Sequence, residues 1–121
     1  MIRIRIDSDP VPASRPKFSG RRAYRPARDV KYRELVQRAA VEAMGNLEPL
    51  EGALTMTVRL FRRVKATARN FGDVDNHAKA VLDALNGICY ADDRQVVSCT
   101  VSKFKDANFP RTEIELSQAV I

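Results

Sequence analysis

The sequence predicts a single α+β domain over residues 1–121, in the order β-α-β-α-β-β, with two helices packed on a small mixed sheet. Three observations carry that expectation. Apolar residues alternate in four short stretches, they recur at helical spacing in two others, and 121 residues can bury one core but not two.

Residues 1–7, MIRIRID, set Ile2, Ile4 and Ile6 against Arg3, Arg5 and Asp7, which is the pattern of a half-buried strand. Pro10, Pro12, Pro16 and Pro26, together with Gly20, argue against any regular element in residues 8–28. From residue 29 to about 45, Tyr32, Leu35, Val36, Ala39 and Ala43 keep helical spacing, with Asp29 as the expected N-cap and Gly45 as the stop. Residues 53–62 alternate again, with Leu54, Met56, Val58 and Leu60 inward and Thr55, Thr57, Arg59 and Phe61 outward. From Asp75 to about Asn86 the period is again helical. Ala78, Val81, Leu82 and Leu85 form the stripe expected to be buried, while Asp75, Lys79, Asp83 and Asn86 line another face. Residues 96–104 and 111–117 read as the last two strands, with Val97, Cys99, Val101, Ile114 and Leu116 toward the core and Asp106, Asn108 and Pro110 at the turn between them.

Charge is distributed unevenly. Residues 1–72 hold 16 Lys/Arg against 7 Asp/Glu, and residues 73–121 hold 5 against 8, which together give the net +6. A basic part leading into an acidic centre fits a polyanion-binding surface around a cation site. Between residues 15 and 28 lie Arg15, Lys17, Arg21, Arg22, Arg25 and Arg28 with no acid, and Phe18 and Tyr24 are interleaved, a composition suited to phosphate contact and base stacking. A second basic run comprises Arg59, Arg62, Arg63, Lys65 and Arg69 and ends at Phe71–Gly72. The two cysteines, Cys89 and Cys99, have neither the number nor the spacing of a zinc site or a disulfide framework. No apolar run approaches a membrane span and no apolar leader opens the chain, so a cytoplasmic protein without a membrane partner is expected.

The chemistry concentrates in residues 71–94. Asp73 and Asp75 flank Val74 and enter the second helix at its N-terminus, Lys79 follows one turn later, and Asp92–Asp93 come before the next strand. Like charges gathered in one place disfavour ionisation unless a cation lies among them. Mg²⁺ takes oxygen ligands and retains waters, so two or three carboxylates plus phosphate oxygens would complete its shell. Each residue also has an ordinary structural reading: Asp75 as an N-cap, Asp92–Asp93 as a polar turn, and Asp75–Lys79 as a surface ion pair. His77, the only histidine, falls off the Asp75/Lys79 face and is expected to face solvent or to pack. A histidine-based nuclease and a serine or cysteine triad both lack the residues they need.

The segment Asp73, Asp75, Asn76, Lys79, Asp83, Leu85, Asn86, Gly87, then Asp92, Asp93, Gln95 and Val96, resembles the signature of the RusA family of Holliday junction resolvases. That signature runs approximately D-x-D-N-x-x-K-x-x-x-D-x-L-N-G and then D-D-x-Q-V. The proline-containing basic opening VPASRPKFSGRRAYRP is also similar to that family's N-terminal part. The resemblance implies a Mg²⁺-dependent homodimer, with Mn²⁺ as a substitute, that binds four-way DNA junctions and resolves them by paired symmetric nicks in recombination and repair. It implies Asp73, Asp75 and Asp93 as metal ligands, Lys79 as the essential lysine and Asp92 as an auxiliary carboxylate. Arg15, Lys17, Arg21, Arg22, Arg25, Arg62, Arg63, Lys65 and Arg69 are the expected DNA-binding residues, and Phe71 either stacks on junction bases or packs beneath the site. Two other functions fit the residues: a nucleic-acid-binding protein that cuts nothing, and another metal-dependent phosphodiesterase acting on flaps or RNA. The dimer interface is open between the face bearing Thr55, Thr57 and Phe61 and the apolar end Ala119, Val120, Ile121.

Overall fold

The computed structural model describes residues 1–14 and 17–120, and of residues 17 and 18 the backbone alone. β1 (Ile2–Ile6) pairs antiparallel with β6 (Arg111–Gln118), and β6 pairs antiparallel with β4 (Leu54–Arg62). β4 pairs parallel with β5 (Val96–Lys105), so the mixed sheet runs β1-β6-β4-β5 and has β1 and β5 as its edges. A parallel pair needs a crossover connection, and α2 (Val74–Leu85) supplies it between β4 and β5. α1 (Ala27–Met44) lies against β1 and α2, and α2 lies against β5. The α+β class and the mixed sheet expected from the periodicities are both present.

Alternation decides the core. Leu54, Met56, Val58 and Leu60 of the central strand β4 are fully buried, joined by Ile4, Ile6, Ile114 and Leu116 from its neighbours. The helices contribute Tyr32, Val36, Ala40 and Met44, then His77, Val81, Ala84 and Leu85. Truncating any of the large β4 side chains to alanine should cost about 2–5 kcal/mol, because the cavity adds to the lost transfer energy. No helix among the described residues is long and apolar enough to cross a membrane.

The structure corrects several local expectations. Residues 8–28 do contain regular structure, a hairpin of β2 (Lys17–Ser19) and β3 (Arg22–Tyr24). Its two-residue turn places Gly20 first with φ 62°, a conformation that costs glycine nothing, and the hairpin lies between the prolines. α1 begins after Pro26, two residues before the expected cap. Asp29 sits in its first turn, where its carboxylate accepts from the Ser14 amide at 3.1 Å and the Ser14 hydroxyl at 2.6 Å. Val97 and Cys99 are exposed, not in the core. The register shifts after Leu54↔Val96 to Thr55↔Ser98, so Val97 is an extra residue opposite nothing on β4. Cys99 lies opposite buried Met56 but on an edge strand that α2 leaves partly uncovered. His77 is buried, so it does not face solvent.

Candidate active site

β4 ends at Arg62, whose guanidinium turns back onto the loop leading into α2. Its Nη1 donates to the carbonyls of Asn70 at 2.8 Å and Phe71 at 2.7 Å, while Nε and Nη2 donate to the Asp9 carboxylate at 3.2 and 3.0 Å. His77 Nε2 donates to the Phe71 carbonyl at 2.7 Å, and Lys103 Nζ donates to the Gly72 carbonyl at 3.1 Å. Three successive carbonyls are therefore satisfied by side chains where no sheet or helix partner is available. Gly72 takes φ 96°, and a Cβ there would stand 2.8 Å from both His77 Nε2 and Pro12 Cγ. Burial holds the His77 pKa below its ordinary value, against the opposing pull of its bond to Phe71. The loop is clamped from several sides, so Asp73 is delivered to the start of α2 in a fixed position.

At that start, Asp73 occupies the N-cap without engaging its side chain with the helix amides, and Asp75 accepts from the Asn76 amide through Oδ1 at 3.0 Å. Both are exposed, as is Lys79 one turn later. Lys79 forms no ion pair among the described residues, so the Asp75–Lys79 surface pair is not made. The positive end of the helix dipole favours the two carboxylates here. Asp75 also lines an open groove between α2 and β5, with Val74, Ala78, Leu82, Cys99, Thr100 and Val101. Two exposed carboxylates with unoccupied oxygens suit a hard divalent cation that takes part of its shell from phosphate and water.

Asp93 stands elsewhere. Asp92 caps the short 3-10 turn Asp93–Gln95, its carboxylate accepting from the Arg94 amide at 2.9 Å, and Gln95 Oε1 accepts from the Asp92 amide at 3.2 Å. Gln95 Nε2 ties the turn to the carbonyls of Leu50 and Gly52 at 2.9 and 3.1 Å. Asp93 Oδ2 accepts from Asn86 Nδ2 at 3.3 Å, which places it at the C-terminal end of α2. Tyr90 lies buried nearby, its phenol pKa raised by burial and further by the Asp93 charge. About 16 Å of helix axis separates Asp75 from Asn86, at the usual rise per residue. Among the described residues no group of three or more His, Cys, Asp or Glu stands close enough together to hold a metal ion. One chain therefore brings Asp73, Asp75 and Lys79 together and leaves Asp93 apart.

The expected DNA-binding residues divide in the same way. Arg21, Arg22 and Arg25 are exposed on and beside the β2–β3 hairpin, and Arg63, Lys65 and Arg69 are exposed on the loop before the site. Arg62 is not available to DNA, because its side chain is only 12% exposed and fully engaged with Asp9 and the two carbonyls. Phe71 is also corrected: it is fully buried, with the Arg62 and Lys103 cations 5.6 and 5.1 Å from its ring centroid, so it packs beneath the site and cannot stack on bases. Arg15 and the side chain of Lys17 lie outside the described residues. Sequence reasoning missed the positioning roles of Arg62, His77, Lys103 and Gln95. Only the last had a local signal, since Asp92 and Gln95 have the spacing of a capping box.

Comparison with known proteins is consistent with this geometry. Residues 7–117 match the family described as endodeoxyribonuclease RusA. The chain is also similar to the uncharacterised protein YqaN of Bacillus subtilis (strain 168), with 30% identity over 137 residues covering 97% of this chain and 96% of that one.

Proposed function

Because the chain belongs to the RusA endodeoxyribonuclease family, we propose that it is a Mg²⁺-dependent nuclease, with Mn²⁺ as a substitute, that resolves four-way DNA junctions in the cytoplasm by paired nicks. The observation that carries this reading is the pair of exposed carboxylates Asp73 and Asp75 with Lys79 one turn away, held at the start of α2 behind a clamped loop in a basic chain. Asp73 and Asp75 would hold the cation, which when bound supplies Lewis-acid activation of the phosphate and of water. Lys79 places a positive charge where the attacked phosphate gathers negative charge, a contribution larger in the transition state than in the ground state. Arg21, Arg22, Arg25, Arg63, Lys65 and Arg69 hold the DNA backbone and fix its register.

Asp93 enters this reading through a second copy of the chain. A junction presents two symmetry-related strands, and a two-fold dimer brings two carboxylate pairs to them. Since Asp93 is tied to the far end of α2 in its own chain, we assign it to the site of the partner, where it completes the carboxylate set.

The test is a labelled synthetic four-way junction incubated with and without Mg²⁺ beside flap, linear duplex and RNA substrates. Symmetric nicks on the junction alone, dependent on the ion, are expected. Junction binding with no cleavage under any divalent ion would favour a binding module, and cleavage confined to flaps or RNA would favour another phosphodiesterase.

A further inference from the structure

Three strands of the sheet, β1, β4 and β5, run in one direction, and β4 and β5 end beside the loop that leads into α2. Arg62 at the end of β4 and Lys103 near the end of β5 hold the carbonyls of that loop. The turn between β5 and β6 stands at this same rim, since its Asp106 amide donates to the Arg62 carbonyl at 2.7 Å. The Asp106 carboxylate accepts from the Asn108 and Phe109 amides and from Arg111 Nη1, each at 3.0 Å. Arg111 Nη1 also donates to the Phe109 carbonyl at 2.9 Å, and the guanidinium is itself fixed by Glu113 at 2.7 Å and over the Phe61 ring at 3.7 Å. Both backbone groups of Phe109 are therefore bonded. Its side chain is nevertheless 65% exposed, more than that of any other aromatic among the described residues.

A single exposed apolar residue needs no explanation by itself. This one is held out by an ordered turn and stands at a basic rim. Lys105 at the end of β5 and Arg63 and Lys65 just after β4 are exposed, while the acid of the turn, Asp106, is paired with Arg111. A ring among cations suits nucleic acid, the cations meeting phosphates and the ring meeting the face of a base. The apolar surface of a protein partner would instead have to strip water from those cations. Lys103, which touches Gly72, and Asp106 are three residues apart in extended chain, about 10 Å, or about three base steps along a DNA strand. We propose that Phe109 stacks on a base at the branch point of the DNA while Asp73 and Asp75 act on a phosphate a few nucleotides away. This rests on the junction-nuclease reading above and supplies the aromatic contact that buried Phe71 cannot make. A base that has already lost a stacking neighbour where strands exchange costs least to take onto a ring.

The experiment measures binding of a labelled four-way junction and of a linear duplex in Ca²⁺, with circular dichroism to check that each variant folds. Phe109→Ala should weaken junction binding about tenfold, the scale of losing one base–aromatic stack, and leave duplex binding unchanged. The salt dependence should keep its slope, because no phosphate contact is lost. Phe109→Tyr should bind as the wild type does, and Phe109→Leu should not. Wild-type junction affinity in Phe109→Ala, an equal loss on junction and duplex, or full affinity in Phe109→Leu overturns the stacking role while leaving the junction reading intact. A wild type that binds junction no better than duplex overturns the junction reading and this role with it. Photocross-linking tests the contact in the wild-type protein. A junction carrying 5-iododeoxyuridine at the branch point should cross-link to the peptide that contains Phe109, and cross-links confined to other peptides contradict the proposal.

Discussion

At its N-terminus α2 presents Asp73 and Asp75 to solvent, whereas at the opposite end Asp93 is half-buried and bonded to the Asn86 side chain. The difference follows from the helix itself. Carboxylates at the positive end of a helix dipole need no further partner and stay available, while one at the negative end needs a hydrogen-bond donor to hold it. Residues of one type in one motif therefore occupy opposite electrostatic environments, and the dimer proposed above is what would unite them in a single site.

The largest expected effects test whether the two ends serve one reaction. Asp73→Asn, Asp75→Asn and Asp93→Asn should each lower single-turnover cleavage by about 10³-fold or more, the scale of losing a preorganised charge. Junction binding measured in Ca²⁺ or EDTA should persist. Near-normal nicking by Asp73→Asn or Asp75→Asn would remove the N-terminal pair from the chemistry, and the same result for Asp93→Asn would make the far end structural only.

Lys79→Ala should slow the chemical step by about 10²-fold and leave affinity nearly unchanged, because one cation among many contributes little to binding. Loss of affinity at an unchanged single-turnover rate would reassign Lys79 to phosphate positioning.

How much of this was legible in the sequence depended on whether the signal was local. The alternation of Leu54, Met56, Val58 and Leu60 survives because β4 is the inner strand of a parallel pair and is covered over its length. The same reasoning misled at Val97 and Cys99, since neither a bulge nor an edge position is written in the residues themselves. The family signature named Asp73, Asp75, Lys79 and Asp93, yet one-dimensional proximity made Asp93 look like a neighbour of the other three. A 12-residue helix stands between them. Arg62 read as one more DNA-binding cation because its partners are Asp9, far away in sequence, and the backbone carbonyls of Asn70 and Phe71, which no residue pattern marks as acceptors.

Arg62 and Arg63 sharpen this point at neighbouring positions. Arg62→Ala should destabilise the fold by about 1–3 kcal/mol, since it removes the charged donor that joins the Asp9 carboxylate to the carbonyls of Asn70 and Phe71. Arg63→Ala should leave the unfolding midpoint unchanged and flatten the salt dependence of junction binding by about one unit of slope. The reverse outcome would exchange their roles.

The smallest expected effect concerns the clamp beneath Asp73. Burial lowers the His77 pKa in the folded state below 6.5, so the unfolded chain binds the proton more readily. The stability that neutral His77 contributes is complete above the ordinary value and declines as pH falls from there toward the depressed native one. His77 is the only histidine, so urea midpoints should fall with pH before the carboxylates begin to titrate, and His77→Gln should remove that slope. A wild-type midpoint that does not change over this interval would contradict the assignment.

The central claim is tested most directly by mixing two inactive chains. If Asp75 and Asp93 act in one site drawn from two chains, a heterodimer of Asp75→Asn with Asp93→Asn contains one wholly wild-type site and one doubly altered site. Coexpressed chains, each with a different tag and purified through both, should then nick one strand of a labelled four-way junction in Mg²⁺, while each variant alone cuts neither. A heterodimer as inactive as its parents, from chains shown to associate, would contradict the account.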